Sequence, residues 1–186
     1  MPSNILSVRE IEHRDINLII DYWMNSDPIY LQNLGVDINK LPSKNEWERM
    51  LLNQLDQAYP TKHSYCIIWL VDGEAIGHCN VNNIMFGHHA FMHLHIWNKP
   101  ARRLGFGTTF IARSLPYFFN NLALKIIYCE PYALNIAPNK TLEKCGFTFV
   151  KKYITTPGSI NFEQPVNCWQ LSLNEFKSAL TNEVSS

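Results

Sequence analysis

The chain has 186 residues, of which 46% are hydrophobic and 12% aromatic. This length fits one compact domain, because a single core serves chains of up to roughly 200 residues. Lysine plus arginine equals aspartate plus glutamate at 16 each, so the formal net charge is zero. Without an excess of either charge, no global field attracts nucleic acid or an anionic membrane. We therefore expect a small-molecule or peptide ligand.

The cysteines and the N-terminus indicate the compartment. No CxxC pair occurs, which excludes the usual zinc-site spacing, and the odd number of cysteines predicts buried thiols in a reducing compartment. Residues 1–7 lack a basic patch followed by an apolar run, and no run of about 18 apolar residues occurs. A cytoplasmic protein is expected. The five cysteines are Cys66, Cys79, Cys129, Cys145 and Cys168.

The first half of the chain contains one strand pattern and two helix patterns. Residues 4–9 predict a short strand, and residues 16–23 repeat apolar side chains at helical spacing. Ser43 and Glu46 have the spacing of a capping box, which predicts the start of a second helix. Its apolar face continues from Trp47 to Leu55.

Three strand patterns and then an alternation of helix and strand follow. The strands are predicted at 64–71, 75–84 and 90–97, with Asp72 and Gly73 as the first hairpin turn. Residues 105–121 have helical periodicity, and Pro116 within them predicts a kink or an early helix end. The remaining predictions are a strand at 125–130, a helix at 135–144 ending at a left-handed Gly146, strands at 147–154 and near 166–173, and a frayed tail at 174–186.

This order of elements predicts a single α/β domain over residues 1–173. Three antiparallel strands followed by alternating helices and strands favour a mixed, mostly antiparallel sheet with helices on both faces. A purely parallel doubly wound sheet and a β-sandwich fit less well. No segment recurs at a fixed period, which excludes a repeat architecture.

A glycine-containing loop precedes the helix at 105–121. The unpaired amides and partial positive charge of a helix N-terminus make it an anion site. Gly105 and Gly107 have no Cβ to obstruct a pyrophosphate, Arg102 and Arg103 add positive charge, and the Thr108 hydroxyl can donate. The same pattern also fits a simple turn between a strand and a helix. A dinucleotide fingerprint is excluded, because its third glycine would fall at residue 110.

Two segments resemble the GNAT superfamily of N-acyltransferases. The first is the loop from Arg102 to Gly107, which matches the signature R/Q-x-x-G-x-G/A and follows a hydrophobic strand and Pro100. The second is residues 135–147, similar to the N-x-A-S-x-x-V-L-E-K-L-G-F segment of ribosomal-protein N-terminal acetyltransferases of the Rim type. Pro138 stands in its serine position. The resemblance extends over residues 7–173.

The resemblance implies a GNAT-like fold whose sheet splays between the fourth and fifth strands, with acetyl-CoA in the gap. It implies that the oxyanion of the reaction is held by a backbone amide near Ile96 or Trp97. Asn135 is equally well explained as a helix N-cap. The implied cofactor-binding residues are Ile96, Trp97, Arg102, Arg103, Leu104, Gly105, Phe106, Gly107, Thr108, Asn135, Asn139 and Lys140.

Three residues are candidates for acid–base work. His93 and His95 lie two apart on the predicted strand 90–97, so both project from one face. This His-x-His pattern resembles that of arylalkylamine acetyltransferases, and its alternative is a pair of structural strand histidines. Glu130 ends the strand 125–130, where a carboxylate could bind a cationic acceptor, act as a base or cap a turn.

No acid for the departing thiolate is evident. Many GNAT enzymes have a tyrosine at the position of Leu142. Either Tyr132 or Tyr128 replaces it, or the thiolate leaves without a protein acid, because a thiol has a pKa of about 8.5. Cys145 is expected to be a packed thiol.

The sequence thus predicts an N-acetyltransferase that moves an acetyl group from acetyl-CoA to a primary amine by direct attack in a ternary complex. The amine belongs to a protein N-terminus or a small metabolite, and a monomer or homodimer is expected. No metal is expected, because His78, His88 and His89 fit no standard ligand set. Two alternatives stay open: an inactive acyl-CoA-binding sensor or partner module, and a hydroxylamine acetyltransferase of siderophore assembly.

Overall fold

A computed structural model describes residues 4–102 and 104–184, and over this part seven strands form one sheet in the order β1-β2-β3-β4-β5-β7-β6. All neighbouring strands are antiparallel except β4 and β5, which are parallel. The predicted mixed, mostly antiparallel sheet is confirmed. The strands are β1 Leu6–Glu10, β2 Ser64–Val71, β3 Glu74–Met85, β4 His89–Ile96, β5 Ile126–Cys129, β6 Thr148–Thr155 and β7 Gln164–Ser172.

Helices cover both faces of the sheet, as predicted. On one face, α1 and α3 pack on β2 through residues such as Ile19, Leu51 and Ile68. On the other face, α4 packs through Phe110 and Phe118, together with Leu142 of α5. The sequence analysis did not predict α2. The helices are α1 Ile16–Asn25, α2 Pro28–Asn33, α3 Lys44–Asp56, α4 Phe106–Asn121, α5 Ile136–Lys144 and α6 Leu173–Val184.

The predicted local signals have the expected geometry. Asp72 and Gly73 both have positive φ, at 50° and 86°, as a two-residue type I′ hairpin requires. The Ser43 hydroxyl accepts from the Glu46 amide and the Glu46 carboxylate accepts from the Ser43 amide, which closes the capping box. Gly146 has φ 81° and ends α5.

Helix α4 continues through Pro116 to Asn121, so the predicted early end is wrong. The turn beyond the proline carries Phe118 and Phe119, whose side chains are buried in the core. Their burial stabilises the last turn despite the lost backbone hydrogen bond.

The expected frayed tail at 174–186 is also wrong as far as residue 184, because Leu173–Val184 form α6. The Phe176 ring stacks on Phe119 with 5.0 Å between centroids, which fixes the helix to the core. Ser172 and Glu175 cap its start, because the Glu175 amide donates to the Ser172 hydroxyl and the Ser172 amide donates to the Glu175 carboxylate. This Ser-x-x-Glu spacing was readable in the sequence.

Strands β4 and β5 separate halfway along β4. Their pairing begins at His89 with Ile126 and ends at Met92 with Cys129, so the second half of β4 has no partner on this side. At the last pair, the Cys129 thiol donates to the Met92 carbonyl oxygen over 3.0 Å. The splay that the family resemblance implied is therefore present, and it opens a gap beside residues 93–96.

Four of the cysteines, at positions 66, 79, 129 and 168, are buried free thiols as predicted, whereas Cys145 is partly exposed. Within residues 4–102 and 104–184, no helix combines the length and apolar character needed to cross a bilayer.

The Ser114 hydroxyl provides a test of the core. It accepts from the buried Trp69 indole N–H over 2.9 Å and is itself fully buried. Ser114→Ala leaves that indole without a partner, so we expect the free energy of unfolding in urea to fall by about 1–3 kcal/mol. Ala112→Ser, at an exposed position of the same helix, is the control and should stay within about 0.5 kcal/mol of the parent. Equal stability of the two variants would show that the Trp69–Ser114 hydrogen bond does not stabilise the core.

Candidate active site

The gap between β4 and β5 exposes backbone groups of β4. The Trp97 amide donates to the Ile76 carbonyl oxygen over 2.8 Å, so this residue faces β3. Because bonded and non-bonded residues alternate along an antiparallel pair, the peptide groups of Leu94 and Ile96 face the gap instead. Of the two predicted oxyanion donors, the Ile96 amide is therefore available and the Trp97 amide is engaged. Leu94 was not named by the sequence analysis.

The predicted anion loop lies at the N-terminus of α4. Gly105 is the N-cap with φ 82°, and no side chain caps the first turn, which leaves its amides for an anion. The Thr108 hydroxyl donates to the Gly105 carbonyl over 3.3 Å. A Cβ on Gly107 would lie 3.4 Å from Thr141 Cγ2, so this glycine also lets α4 approach α5 closely. These positions suit a pyrophosphate.

The other residues predicted for this loop differ in their surroundings. Leu104 is exposed, whereas Phe106 packs against the core and has an edge-to-face contact with Phe110. Arg103 lies outside the described residues.

Arg102 contacts the protein rather than the rim of the loop. Its Nε donates to the Ile96 carbonyl over 2.9 Å and its Nη2 to the Trp97 carbonyl over 3.1 Å. The guanidinium also lies 3.9 Å from the centroid of the Tyr30 ring, in a cation–π contact. Arg102 therefore fastens the anion loop to the end of β4.

Asn139 is buried, and both ends of its carboxamide are engaged. Its Nδ2 donates to the Asn135 and Tyr132 carbonyl oxygens, and its Oδ1 accepts from Asn167 and the Trp169 indole. The side chain thus joins the start of α5 to β7 and offers no free group to a cofactor. No pattern in the neighbouring sequence indicated that Asn139 would be buried.

The two other predicted residues of α5 are more accessible. Asn135 is the N-cap residue of α5 but makes no side-chain cap hydrogen bond, and it lines the cavity described next. Lys140 is exposed on the same helix.

A cavity of about 450 Å³, here called the central cavity, lies between the sheet, α1, α3 and the 157–164 segment. His93, His95 and Glu130 all line it, so the structure brings the three predicted catalytic residues together. Leu94 and Cys129 line it as well, which shows that the cavity reaches the gap between β4 and β5.

His95 belongs to a buried aromatic network. Its Nδ1 is 3.2 Å from the Tyr22 hydroxyl, which is 3.2 Å from the Tyr30 hydroxyl. The His78 ring stacks on His95 with 4.9 Å between centroids, and His78 Nδ1 accepts from the Trp97 indole over 2.7 Å. Burial lowers the pKa of His95 well below its ordinary value and the pKa of His78 to about 3. Both rings are therefore neutral at pH 7.

His93 lies closer to the polar part of the cavity. Its Nε2 is 3.1 Å from the Asn82 Oδ1 oxygen, so Nε2 carries the proton and Nδ1 holds the free lone pair. Burial lowers the pKa of His93 to about 4. This histidine can thus accept a proton at neutral pH without carrying a charge beforehand.

Glu130 is oriented by a residue that the sequence analysis missed. The Tyr153 hydroxyl of β6 donates to Glu130 Oε1. Burial and this carboxylate raise the pKa of Tyr153, so the phenol stays a donor at neutral pH. The two residues are 23 positions apart, and no local pattern could have paired them.

The two tyrosines predicted as acids for the departing thiolate lie in different places. Tyr132 lines the central cavity, and its ring has an edge-to-face contact with Phe162. Tyr128 instead stacks on Phe91 with 5.4 Å between centroids. Leu142 is fully buried in the core beside α4.

The described part of the chain contains no group of three or more histidine, cysteine, aspartate or glutamate side chains that could hold a metal ion.

The neutral buried histidines predict how stability depends on pH. The pKa values of His78 and His93 in the fold, about 3 and about 4, lie below the ordinary 6.5, so the unfolded chain binds more protons as the pH falls below 6.5. Thermal stability should therefore fall between pH 7 and pH 4. His78→Gln should reduce that fall, whatever its Tm at pH 7, and His13→Gln, at an exposed position, should not. The same pH dependence in all three proteins would contradict this account.

Comparisons with known proteins agree with this geometry. The family model described as the acetyltransferase (GNAT) domain matches residues 6–148. No curated protein matches the chain by sequence. Solved structures with a similar fold include the spermidine N-acetyltransferase of Vibrio cholerae in complex with CoA and spermine, with a TM-score of 0.74, 20% identity and coverage of 92% of this chain and 98% of that one.

Two more structures share the fold at lower identity. An aminoglycoside acetyltransferase in complex with coenzyme A and kanamycin has a TM-score of 0.71 and 14% identity, covering 94% of this chain and 98% of that one. An uncharacterized protein of Bacillus halodurans has a TM-score of 0.69 and 14% identity, with 94% and 88% covered. Because the family match spans well over half of the chain, the protein belongs to the GNAT acetyltransferase family and is an acetyl-CoA-dependent N-acetyltransferase.

Proposed function

We propose that the protein transfers the acetyl group to a primary amine by direct attack in a ternary complex. The observation that carries this proposal is the continuity of the central cavity, which holds His93 and Glu130, with the gap at Leu94. An amine in the cavity can therefore reach a thioester in the gap without a covalent enzyme intermediate. Cys145 and Cys129 are poor nucleophiles, because burial raises the pKa of both thiols.

The residues present fit acetyl-CoA. The uncapped first turn of α4 would hold the pyrophosphate, and the peptide groups of Leu94 and the amide of Ile96 would pair with the pantetheine arm or the acetyl carbonyl. When bound, acetyl-CoA supplies a thioester carbonyl carbon for attack. A backbone amide suits the developing oxyanion, because a fixed donor needs no reorganisation when the charge forms.

Glu130 and His93 divide the work on the acceptor. Glu130 would bind the ammonium form of the amine and fix its direction, since Tyr153 holds one carboxylate oxygen. The carboxylate would then take one proton from the ammonium, which leaves a neutral nitrogen whose lone pair can attack. The nitrogen becomes much more acidic as it attacks a carbonyl carbon, so a weak base is enough to remove its proton. Nδ1 of His93, with its pKa lowered to about 4, is such a base.

Two tyrosines were predicted as the acid that could protonate the departing thiolate, and their positions favour one of them. Tyr132 lines the central cavity, and Tyr128 is not among the described residues that line it. We therefore propose Tyr132 as the acid where one is used.

The sequence resemblance to Rim-type N-terminal acetyltransferases concerns the part of the site that would bind the cofactor. The segment that carries it, residues 135–147, forms α5 and its ends. It contributes Asn135 and Pro138 to the central cavity but not the opposite wall on α1 and α3. A protein N-terminus and a small amine therefore both remain compatible with this likeness, and the acceptor must be inferred from the cavity itself.

Turnover tests the proposed function. With acetyl-CoA and a panel of primary amines that includes a hydroxylamine and a peptide N-terminus, we expect amine-dependent release of free coenzyme A and a raised Tm in acetyl-CoA alone. Thermal stabilisation without coenzyme A release from any amine would indicate a sensor. Absence of stabilisation at saturating acetyl-CoA would contradict cofactor binding as well.

A substitution at His93 tests the assigned base. His93→Ala should lower kcat about 100-fold, the lower end of the contribution of a general base, with the stabilisation by acetyl-CoA unchanged. His88→Ala, at an exposed position in the turn just before β4, is the matched control and should retain parent kcat. Parent-like turnover in His93→Ala would return His93 to a structural role.

A further inference from the structure

The central cavity carries little charge for a site that receives an amine. Among the described residues that line it, Glu130 is the one carboxylate, and neither lysine nor arginine is present. His78, His93 and His95 are neutral at pH 7, because burial lowers the pKa of each. The cavity can therefore neutralise one ammonium group, held at Glu130.

Neutral carboxamides supply the remaining polarity. Asn80 lies beside His93 in the register of β3 and β4, and within the described part of the chain its side chain makes no hydrogen bond. The Asn135 side chain, at the start of α5, is equally without one. Each carboxamide offers one acceptor and two donors, so both can pair with an uncharged polar group of a ligand.

The far wall of the cavity is mostly apolar and aromatic, although the Trp47 indole N–H and the Gln54 Oε1 oxygen of α3 are buried there without hydrogen-bond partners among the described residues. The Trp23 and Trp47 rings stack with 5.7 Å between centroids and 7° between planes, and Leu51 and Met50 lie beside them on α3. An ammonium group against this wall would find no carboxylate, and its only partners there, within the described part of the chain, would be the neutral Gln54 oxygen and the indole faces. A hydrocarbon or aromatic group would gain free energy by burial.

From these three features we propose that the acceptor is a small primary monoamine with an uncharged body, one side of which is apolar. Its ammonium group lies at Glu130, its neutral polar group at Asn80 or Asn135, and its apolar part against Trp47 and Met50. Polyamines and other polycations are disfavoured, because their further ammonium groups find no carboxylate among the described residues that line the cavity. This inference rests on the proposed function and specifies its acceptor.

A matched pair of amines tests the proposal. Hexylamine and 1,6-diaminohexane have the same chain and differ by one terminal amine, and coenzyme A release gives kcat/KM for each. We expect the parent protein to prefer hexylamine by about tenfold or more, since the second ammonium would be desolvated without a partner. Equal use of the two amines, or a preference for the diamine or spermine, would overturn the proposal.

A second carboxylate should change the preference. Met50 lines the cavity and is 50% exposed, so Met50→Glu adds a negative charge at the apolar wall with little risk to folding. The ratio of kcat/KM for diamine over monoamine should rise about tenfold or more. Met24→Glu introduces the same charge at a residue that is 47% exposed on α1 and is not among the described lining residues, so the parent ratio should persist.

The outcomes separate this inference from the proposed function. Coenzyme A release with any primary amine upholds N-acetyl transfer, and the ratio of the two amines then decides the acceptor class. If no amine gives release while acetyl-CoA still raises the Tm, the proposed function fails. An equal shift of the ratio in Met50→Glu and Met24→Glu would show that net charge, and not the cavity wall, sets the preference, and would overturn the assignment of the acceptor body.

Discussion

The separation of β4 from β5 after the Met92–Cys129 pair is the constraint on which the site depends. A fully paired β4 would bury its peptide groups in hydrogen bonds, and the sheet would close the passage between its two faces. Because pairing stops halfway, the peptide groups of Leu94 and the amide of Ile96 face the gap without a strand partner, and the central cavity reaches the same gap. The Cys129 thiol donates to the Met92 carbonyl, which satisfies the first carbonyl at the opening.

Successive residues of β4 point in alternate directions, so neighbouring residues have different roles. Side chains at 93 and 95 project into the central cavity, while the backbone of the residues between and beyond them faces the gap. Arg102 fixes the end of this strand by binding the Ile96 and Trp97 carbonyl oxygens, and it connects through Tyr30 and Tyr22 to His95. The anion loop and the cavity histidines thus share one rigid, largely buried set of contacts.

The sequence predicted those features that short-range chemistry determines. The capping box at Ser43, the positive φ of Gly73 and the uncapped glycine N-cap of α4 each follow from residues within a few positions. Insertion of β7 between β5 and β6 depends on pairing between distant segments, as does the Glu130–Tyr153 hydrogen bond. Arg102 and Asn139 were assigned to the cofactor because their residue types suit phosphate and polar ligands. The structure shows that the carboxamide of Asn139 is already engaged at both ends and that Nε and Nη2 of Arg102 already donate to carbonyl oxygens.

The low charge of the cavity and the neutral state of its histidines have one physical origin. Burial beneath α1 and α3 removes water from the histidine side of the cavity, which penalises a charge there that lacks a close partner. His93 and His95 respond by losing their protons, whereas Glu130 has a donor in Tyr153 and lies at the edge where β5 ends. The same desolvation makes a single ammonium at Glu130 a strong interaction and a second one costly. Selection for one charged nitrogen and preservation of a neutral base are therefore two consequences of one site that buries its histidines and holds a single carboxylate among its described lining residues.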